Sequence, residues 1–110
     1  HGGMITATEP IIYSAIEHRF VNFRNLSGIP VGFSDNTADA LASGARYMVL
    51  GIIEKTWREA SRTLNEPKLP LLITGGDAEA LLPQLPDNVV YRPTLVLEGL
   101  ALLARHLENP

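Results

Sequence analysis

Apolar residues recur at helical spacing in some stretches of this chain and form short continuous runs in others, and the two patterns alternate. His1-Gly2-Gly3-Met4-Ile5-Thr6 reads as a turn feeding a short strand. From Thr8 to about Phe20, the residues Ile12, Ala15, Ile16 and Phe20 follow helical spacing, and Pro10 is tolerated if it lies in the first turn. Gly28, Pro30 and Gly32 punctuate an irregular connection over Asn22 to Phe33. The strongest helix signal runs from Thr37 to about Thr63. Asp35 or Asn36 is placed to cap its free N–H groups, and Leu41, Ala45, Met48, Ile52 and neighbouring Trp57 form its expected core stripe.

Beyond the Asn65-Glu66-Pro67 break, Leu69 to Ile73 is a short apolar run bounded by turn signals, as expected of a strand buried on both faces. Thr74-Gly75-Gly76-Asp77 turns into a helix bearing Ala80, Leu81 and Leu82, which Pro83 and Pro86 stop. Asn88 to Tyr91 is a second strand candidate, and Thr94 can cap a last helix from Leu95 to Leu107. The order strand, helix, strand, helix predicts an α/β architecture with a largely parallel sheet.

Composition narrows the function more by exclusion than by assignment. A length of 110 residues closes one hydrophobic core, so the chain reads as a single domain or a piece of one, and 45% hydrophobic content favours packing over disorder. Nine basic against twelve acidic residues leave a formal charge of -3, without the basic footprint of a nucleic-acid partner. No cysteine is present, which removes disulfides, thiolate zinc sites and a cysteine nucleophile. No apolar run approaches the roughly 20 residues that span a bilayer, and the cytoplasm is the expected location.

The best chemical candidate is Thr74-Gly75-Gly76-Asp77-Ala78. Two glycines between a strand and a helix let the backbone approach a ligand with no Cβ in the way, and amides at a helix start favour a phosphate or a nucleotide edge. On spacing alone, a plain tight turn with Asp77 as helix cap accounts for the same residues. The segment is neither a P-loop nor a three-glycine dinucleotide fingerprint. Thr37 is the second candidate, a hydroxyl at a helix N-terminus, with a simple cap as the alternative. His18 and His106 read as solvated, Glu98 as a residue that suits a helix start, and no histidine pair has metal-ligand spacing. Gly44 and Gly51, seven apart, lie on nearly one face of the long helix, where close packing is expected.

Four segments taken together resemble the C-terminal half of type III pantothenate kinases, within the actin-like group that also holds sugar kinases and heat-shock ATPases. They are Gly2-Gly3-Met4-Ile5, then Asn36-Thr37-Ala38-Asp39-Ala40-Leu41-Ala42-Ser43-Gly44, then Ile73-Thr74-Gly75-Gly76-Asp77-Ala78, and finally Pro93-Thr94-Leu95-Val96-Leu97-Glu98-Gly99-Leu100. Their order and spacing span nearly the whole chain. The resemblance implies a ribonuclease-H-like, actin-type α/β domain, with a mostly parallel or mixed sheet flanked by helices, forming the C-terminal half (residues 1–110) of a two-domain kinase. It implies ATP-dependent phosphorylation of the pantothenate hydroxyl, the first step toward coenzyme A, with Mg2+ and a monovalent cation (K+ or NH4+). Thr74, Gly75, Gly76, Asp77 and Ala78 would then contact the adenosine side of ATP, and Thr37 would approach pantothenate across a homodimer interface suited to Gly44 and Gly51.

The chain departs from the family pattern at Ala7-Thr8, where Pro-Gly is usual, and at Phe20, where threonine is common. The family's phosphate-binding Asp-x-Gly-Asn-Thr loop, its Gly-x-Asp-Arg segment and its catalytic Asp-x-Gly-Thr-Ala loop belong to the N-terminal half and have no counterpart in these 110 residues. No catalytic residue is therefore expected here, and the absent N-terminal domain is an expected partner. Two other readings accompany this one. The first is a non-catalytic, kinase-like regulatory or scaffold protein of the transcription accessory type; the second is a sugar or acetate kinase relative with another acceptor.

Overall fold

The computed structural model describes residues 2–109, so His1 of the expected opening turn lies outside the described residues. The chain divides into two compact units, one ending at Lys55 and the other beginning at Thr56.

In the first unit, α1 (Glu9–Arg19) begins with Pro10 in its first turn, where the missing N–H costs nothing. Ile12 is buried and Ile16 half-buried, whereas Ala15 and Phe20 are exposed. Phe20 meets Phe23 edge to face at 5.8 Å and lies 5.3 Å from the Arg19 guanidinium. The Arg46 guanidinium pairs with the Glu9 carboxylate and ties α1 to α2 (Thr37–Thr63). The expected strand at Met4-Ile5-Thr6 does not form, because an extended segment becomes a strand only by pairing its backbone, and among the described residues the two strands pair with each other.

The boundaries of α2 match the sequence expectation and its buried face does so in part, with Ala45 of the expected stripe buried and Leu41, Ile52 and Trp57 half-buried. Ala42, Ser43, Ala45 and Val49 are buried, whereas Met48, expected in the core, is 63% exposed. The small residues face inward because the irregular segment before the helix lies directly on its first turns. A Cβ at Gly28 would overlap the Ala38 carbonyl and come within 2.6 Å of the Asp39 amide nitrogen. Gly32, at φ +94°, donates its amide to the Ser43 hydroxyl at 3.0 Å, which partners that buried side chain. Gly44 and Gly51 are exposed, and no atom of this chain fills the space a Cβ would occupy at either.

Polar contacts fix the start of α2. The Asn36 side-chain oxygen accepts from the Asp39 amide at 2.9 Å, as an N-cap does. Asp39 completes the exchange: one carboxylate oxygen accepts from the Asn36 side-chain nitrogen at 3.0 Å and the other from the Ile29 amide at 2.8 Å. These two donors, Asn36 first and then the Ile29 amide, hold the Asp39 carboxyl below its ordinary value of 3.8 and outweigh the small opposing effect of burial.

The second unit holds the last turns of α2, then β1 (Leu71–Ile73), α3 (Ala78–Leu81), β2 (Val89–Tyr91) and α4 (Leu95–Glu108). The strands pair in parallel, with Leu71 opposite Val89, Leu72 opposite Val90 and Ile73 opposite Tyr91, and the Arg92 amide extends the ladder to the Ile73 carbonyl at 2.9 Å. This is the expected α/β, parallel arrangement in its smallest form. The expectation that β1 is buried on both faces is corrected, since Leu72 is half exposed. Among the described residues of this unit, Ala78 and Leu81 are the buried apolar ones, too few to cover both faces of the pair. The chain entering β1 is anchored at the Leu69 carbonyl, which accepts from the Trp57 indole at 2.7 Å and the Asn88 amide at 2.8 Å. At α4, Thr94 sits at the N-cap position but makes no capping bond; its hydroxyl donates to Glu98, which also pairs with Arg92 at 2.5 Å.

Gly28→Ala should destabilise the chain by about 1–3 kcal/mol, because the new methyl meets backbone that cannot yield. Gly44→Ala should stabilise it by about 1 kcal/mol through helix propensity. Urea unfolding of both variants checks the pair, and equal effects would contradict the packing described. A second outcome concerns acid. Because the folded Asp39 pKa lies below its unfolded value, its contribution is complete above the ordinary carboxylate range and is lost as pH falls through the folded value. The melting-temperature gap between the parent sequence and Asp39→Asn should hold steady near neutrality and close on acidification below about pH 4.

Candidate functional site

The candidate site lies where β1 ends. After Ile73 the chain leaves the ladder, and Gly75 adopts φ +110°, a left-handed conformation that side chains resist and glycine accepts. The turn closes with the Ala78 amide donating to the Gly75 carbonyl at 3.3 Å. Thr74, Gly75, Gly76 and Asp77 are all exposed, and the space beside both glycines is open, with no atom within 4 Å of where a Cβ would stand. An approaching ligand therefore meets bare main chain.

The five predicted residues of this loop divide by role. Ala78 is buried and its amide is used inside the turn, so it supports the loop from beneath. Asp77 occupies the N-cap position of α3, but its side chain makes no capping hydrogen bond, so the plain helix-cap reading is corrected. Its backbone is already helical there, at φ -92° and ψ -2°, whereas a capping side chain reaches back from an extended residue. The carboxylate is left exposed. With only four residues, α3 supplies amides but little macrodipole, so any attraction for an anion here is local hydrogen bonding.

Thr37 belongs to the other unit. It is the first residue of α2 and is exposed; the capping role considered for it falls to Asn36. Its hydroxyl therefore stands beside a helix start whose geometry is fixed by neighbours. Asp39 was not singled out as a site residue, yet it holds the segment at Ile29 against this helix start. The signal was present as an acid three residues after an N-cap asparagine. His18 and His106 are exposed in the last turns of α1 and α4, where a positive charge suits the helix dipole.

A cavity of about 330 Å3 opens in the second unit, lined by Trp57, Arg58, Ser61, Arg62, Asn65 and Pro67. The Ser61 hydroxyl is buried there without a hydrogen-bond partner. None of the predicted site residues lines this cavity. Among the described residues, no group of three or more His, Cys, Asp or Glu side chains is placed to hold a metal ion. Nor is any helix long and apolar enough to cross a membrane.

No family model matches the chain. Curated relatives match it throughout. It is 38% identical over 110 residues to a type III pantothenate kinase of Xanthomonas campestris pv. campestris (strain B100), which covers all of this chain and 45% of the relative. It is 41% identical over 106 residues to one of Stenotrophomonas maltophilia (strain K279a), covering 96% of this chain and 43% of the relative. With one of Xylella fastidiosa (strain 9a5c) the identity is 39% over 108 residues, covering 98% and 44%. The chain thus spans a little under half the length of the curated relatives it matches, and the matched portion is their C-terminal part. The resemblance carried by the motifs extends over the full 110 residues.

Proposed function

We propose that this chain is the C-terminal part of a type III pantothenate kinase, in which it helps bind ATP and pantothenate while the rest of the protein carries out the phosphoryl transfer. The observation that carries this reading is the similarity of the entire chain to enzymes of that name. The whole protein would adopt the actin-like, ribonuclease-H-like fold, act in the cytoplasm and phosphorylate the pantothenate hydroxyl at the start of coenzyme A synthesis. Residues 1–110 would form its C-terminal domain.

In this reading the exposed turn at Thr74 to Asp77, resting on buried Ala78, receives the adenosine side of ATP. The open space beside Gly75 and Gly76 supports the assignment, because backbone amides bond a flat, polar ligand edge only when no side chain intervenes. Thr37 would reach pantothenate bound against a second copy of the chain. The empty space outside Gly44 and Gly51, beside exposed Tyr47 and Met48, supports α2 as the face of a homodimer.

Among the described residues, the carboxylates and imidazoles form no cluster of three that would hold a metal ion. The family's Mg2+ and its monovalent cation would be held elsewhere in the parent. Phosphoryl transfer requires nucleotide, metal and acceptor hydroxyl to be positioned together, so this part provides binding surfaces rather than the reacting assembly.

Two measurements test the reading. The purified chain should release no ADP in response to pantothenate, while the full-length parent should; strong turnover by the chain alone, abolished by Thr37→Ala, would overturn the division of labour. In the parent, Gly76→Val should leave the melting temperature unchanged, since its Cβ enters open space, and should raise the KM for ATP by about tenfold, a cost near 1.4 kcal/mol. An unaltered KM in a folded variant would remove the nucleotide from this turn.

A further inference from the structure

The cavity of about 330 Å3 in the second unit has no part in the function described so far, and it is built by the way α2 ends. Asn65 takes φ +52°, a left-handed conformation that asparagine tolerates better than most residues. The Glu66 amide donates to the Ser61 carbonyl at 2.9 Å and the Asn65 amide to the Arg62 carbonyl at 3.2 Å, the paired bonds that close a helix and turn the chain back. Pro67 thereby joins a wall made by two neighbouring rows of the helix, Trp57, Ser61 and Asn65 in one and Arg58 and Arg62 in the other. The Trp57 indole is fixed by its bond to the Leu69 carbonyl.

The size falls at the lower end of the roughly 300–1,000 Å3 of small-molecule sites. The lining joins apolar surface from Trp57 and Pro67 to two guanidiniums and the Asn65 amide, groups that accept a flat apolar body and bond an anionic head. At the same cavity the Ser61 hydroxyl is buried without a hydrogen-bond partner, which is unfavourable until something completes it. The carbonyl end of a helix repels an anion with about half an elementary charge. Here the Ser61 and Arg62 carbonyls are already engaged, and the full positive charge of Arg62 alone exceeds that repulsion.

We propose that this cavity binds a small organic anion with a flat apolar body, the head held by Arg58, Arg62 and Asn65 and the body lying against Trp57 and Pro67. The site is separate from the glycine turn, because Leu69 leads into β1 on the cavity's side and Gly75 follows the strand's other end. Nothing in the argument depends on the kinase reading.

Nuclear magnetic resonance of the full-length parent, carrying isotope-labelled tryptophan, tests the proposal. The Trp57 indole signal is assigned by its loss in Trp57→Phe. Benzoate and phenyl phosphate carry both features of the ligand, whereas acetate, inorganic phosphate and benzyl alcohol carry one each. At constant ionic strength, benzoate or phenyl phosphate should move the signal saturably with a Kd of about 1 mM, at least about tenfold tighter than the one-feature probes. The tighter of the two identifies the head group as carboxylate or phosphate. Arg62→Gln should weaken binding about tenfold and leave the melting temperature unchanged, since its side chain is exposed. Ser61→Ala, which removes the unpartnered hydroxyl, should raise the melting temperature of the ligand-free protein and also weaken binding. A Trp57 signal unmoved up to about 50 mM benzoate and phenyl phosphate would overturn the proposal. So would equal responses to benzoate and acetate, or undiminished binding in both variants. These readouts follow binding and not turnover, so loss of the kinase assignment would leave the result standing.

Discussion

One backbone carbonyl organises the part of the chain that carries the glycine turn. The Leu69 oxygen accepts from Trp57 at the end of α2 and from Asn88 just before β2, while Leu69 itself leads into β1. Three segments distant in sequence are thereby fixed at one point. A parallel pair of three-residue strands has little stability of its own, and each such hydrogen bond adds about 1 kcal/mol net. The shared acceptor instead supplies register, bringing Leu71 opposite Val89 and setting where β1 must end. Gly75 and Gly76 follow immediately, so the open turn inherits its place from that anchor.

In the first unit the corresponding anchor is polar and ionised. Asp39 joins the N-cap residue to the amide of Ile29, and Ser43 receives the amide of Gly32. The segment between carries Ile29, Val31 and Phe33, all exposed, so apolar burial does not hold it. Hydrogen bonds to the helix start do, and they bring Gly28 so close to the Ala38 backbone that no Cβ fits there. Thr37 stands at the end of this arrangement and owes its position to it.

The distribution of apolar surface agrees with the proposal that this chain is part of a longer protein. Among the described residues the buried apolar side chains are small or branched, while Met4, Ile5, Phe33 and, on α4, Leu100 and Leu107 are exposed. Similarity to less than half of each relative gives the same picture from sequence. In the proposed reading, the turn at Gly75-Gly76 and the hydroxyl of Thr37 are portions of a site whose remaining groups arrive from another part of the protein.

What the sequence determined by itself was everything governed by neighbouring residues. Asp35 or Asn36 as cap and the apolar spacing beyond placed α2 from Thr37 to about Thr63, Pro83 and Pro86 marked the end of α3, and paired glycines after Ile73 marked a turn, in which Gly75 takes φ +110°. Those are local matters of capping, ring geometry and steric freedom. The tertiary structure decided which surfaces met. It buried Ala42 and Val49 beside the expected Ala45 and left Met48 exposed, because which positions of a helix are covered depends on the segments that meet it. It left Met4-Ile5-Thr6 unpaired and Leu72 half bare, because a strand and a buried face each require a partner from elsewhere in the chain. Periodicity specifies that a helix or strand has an apolar side; only the arrival of another segment specifies whether that side is covered.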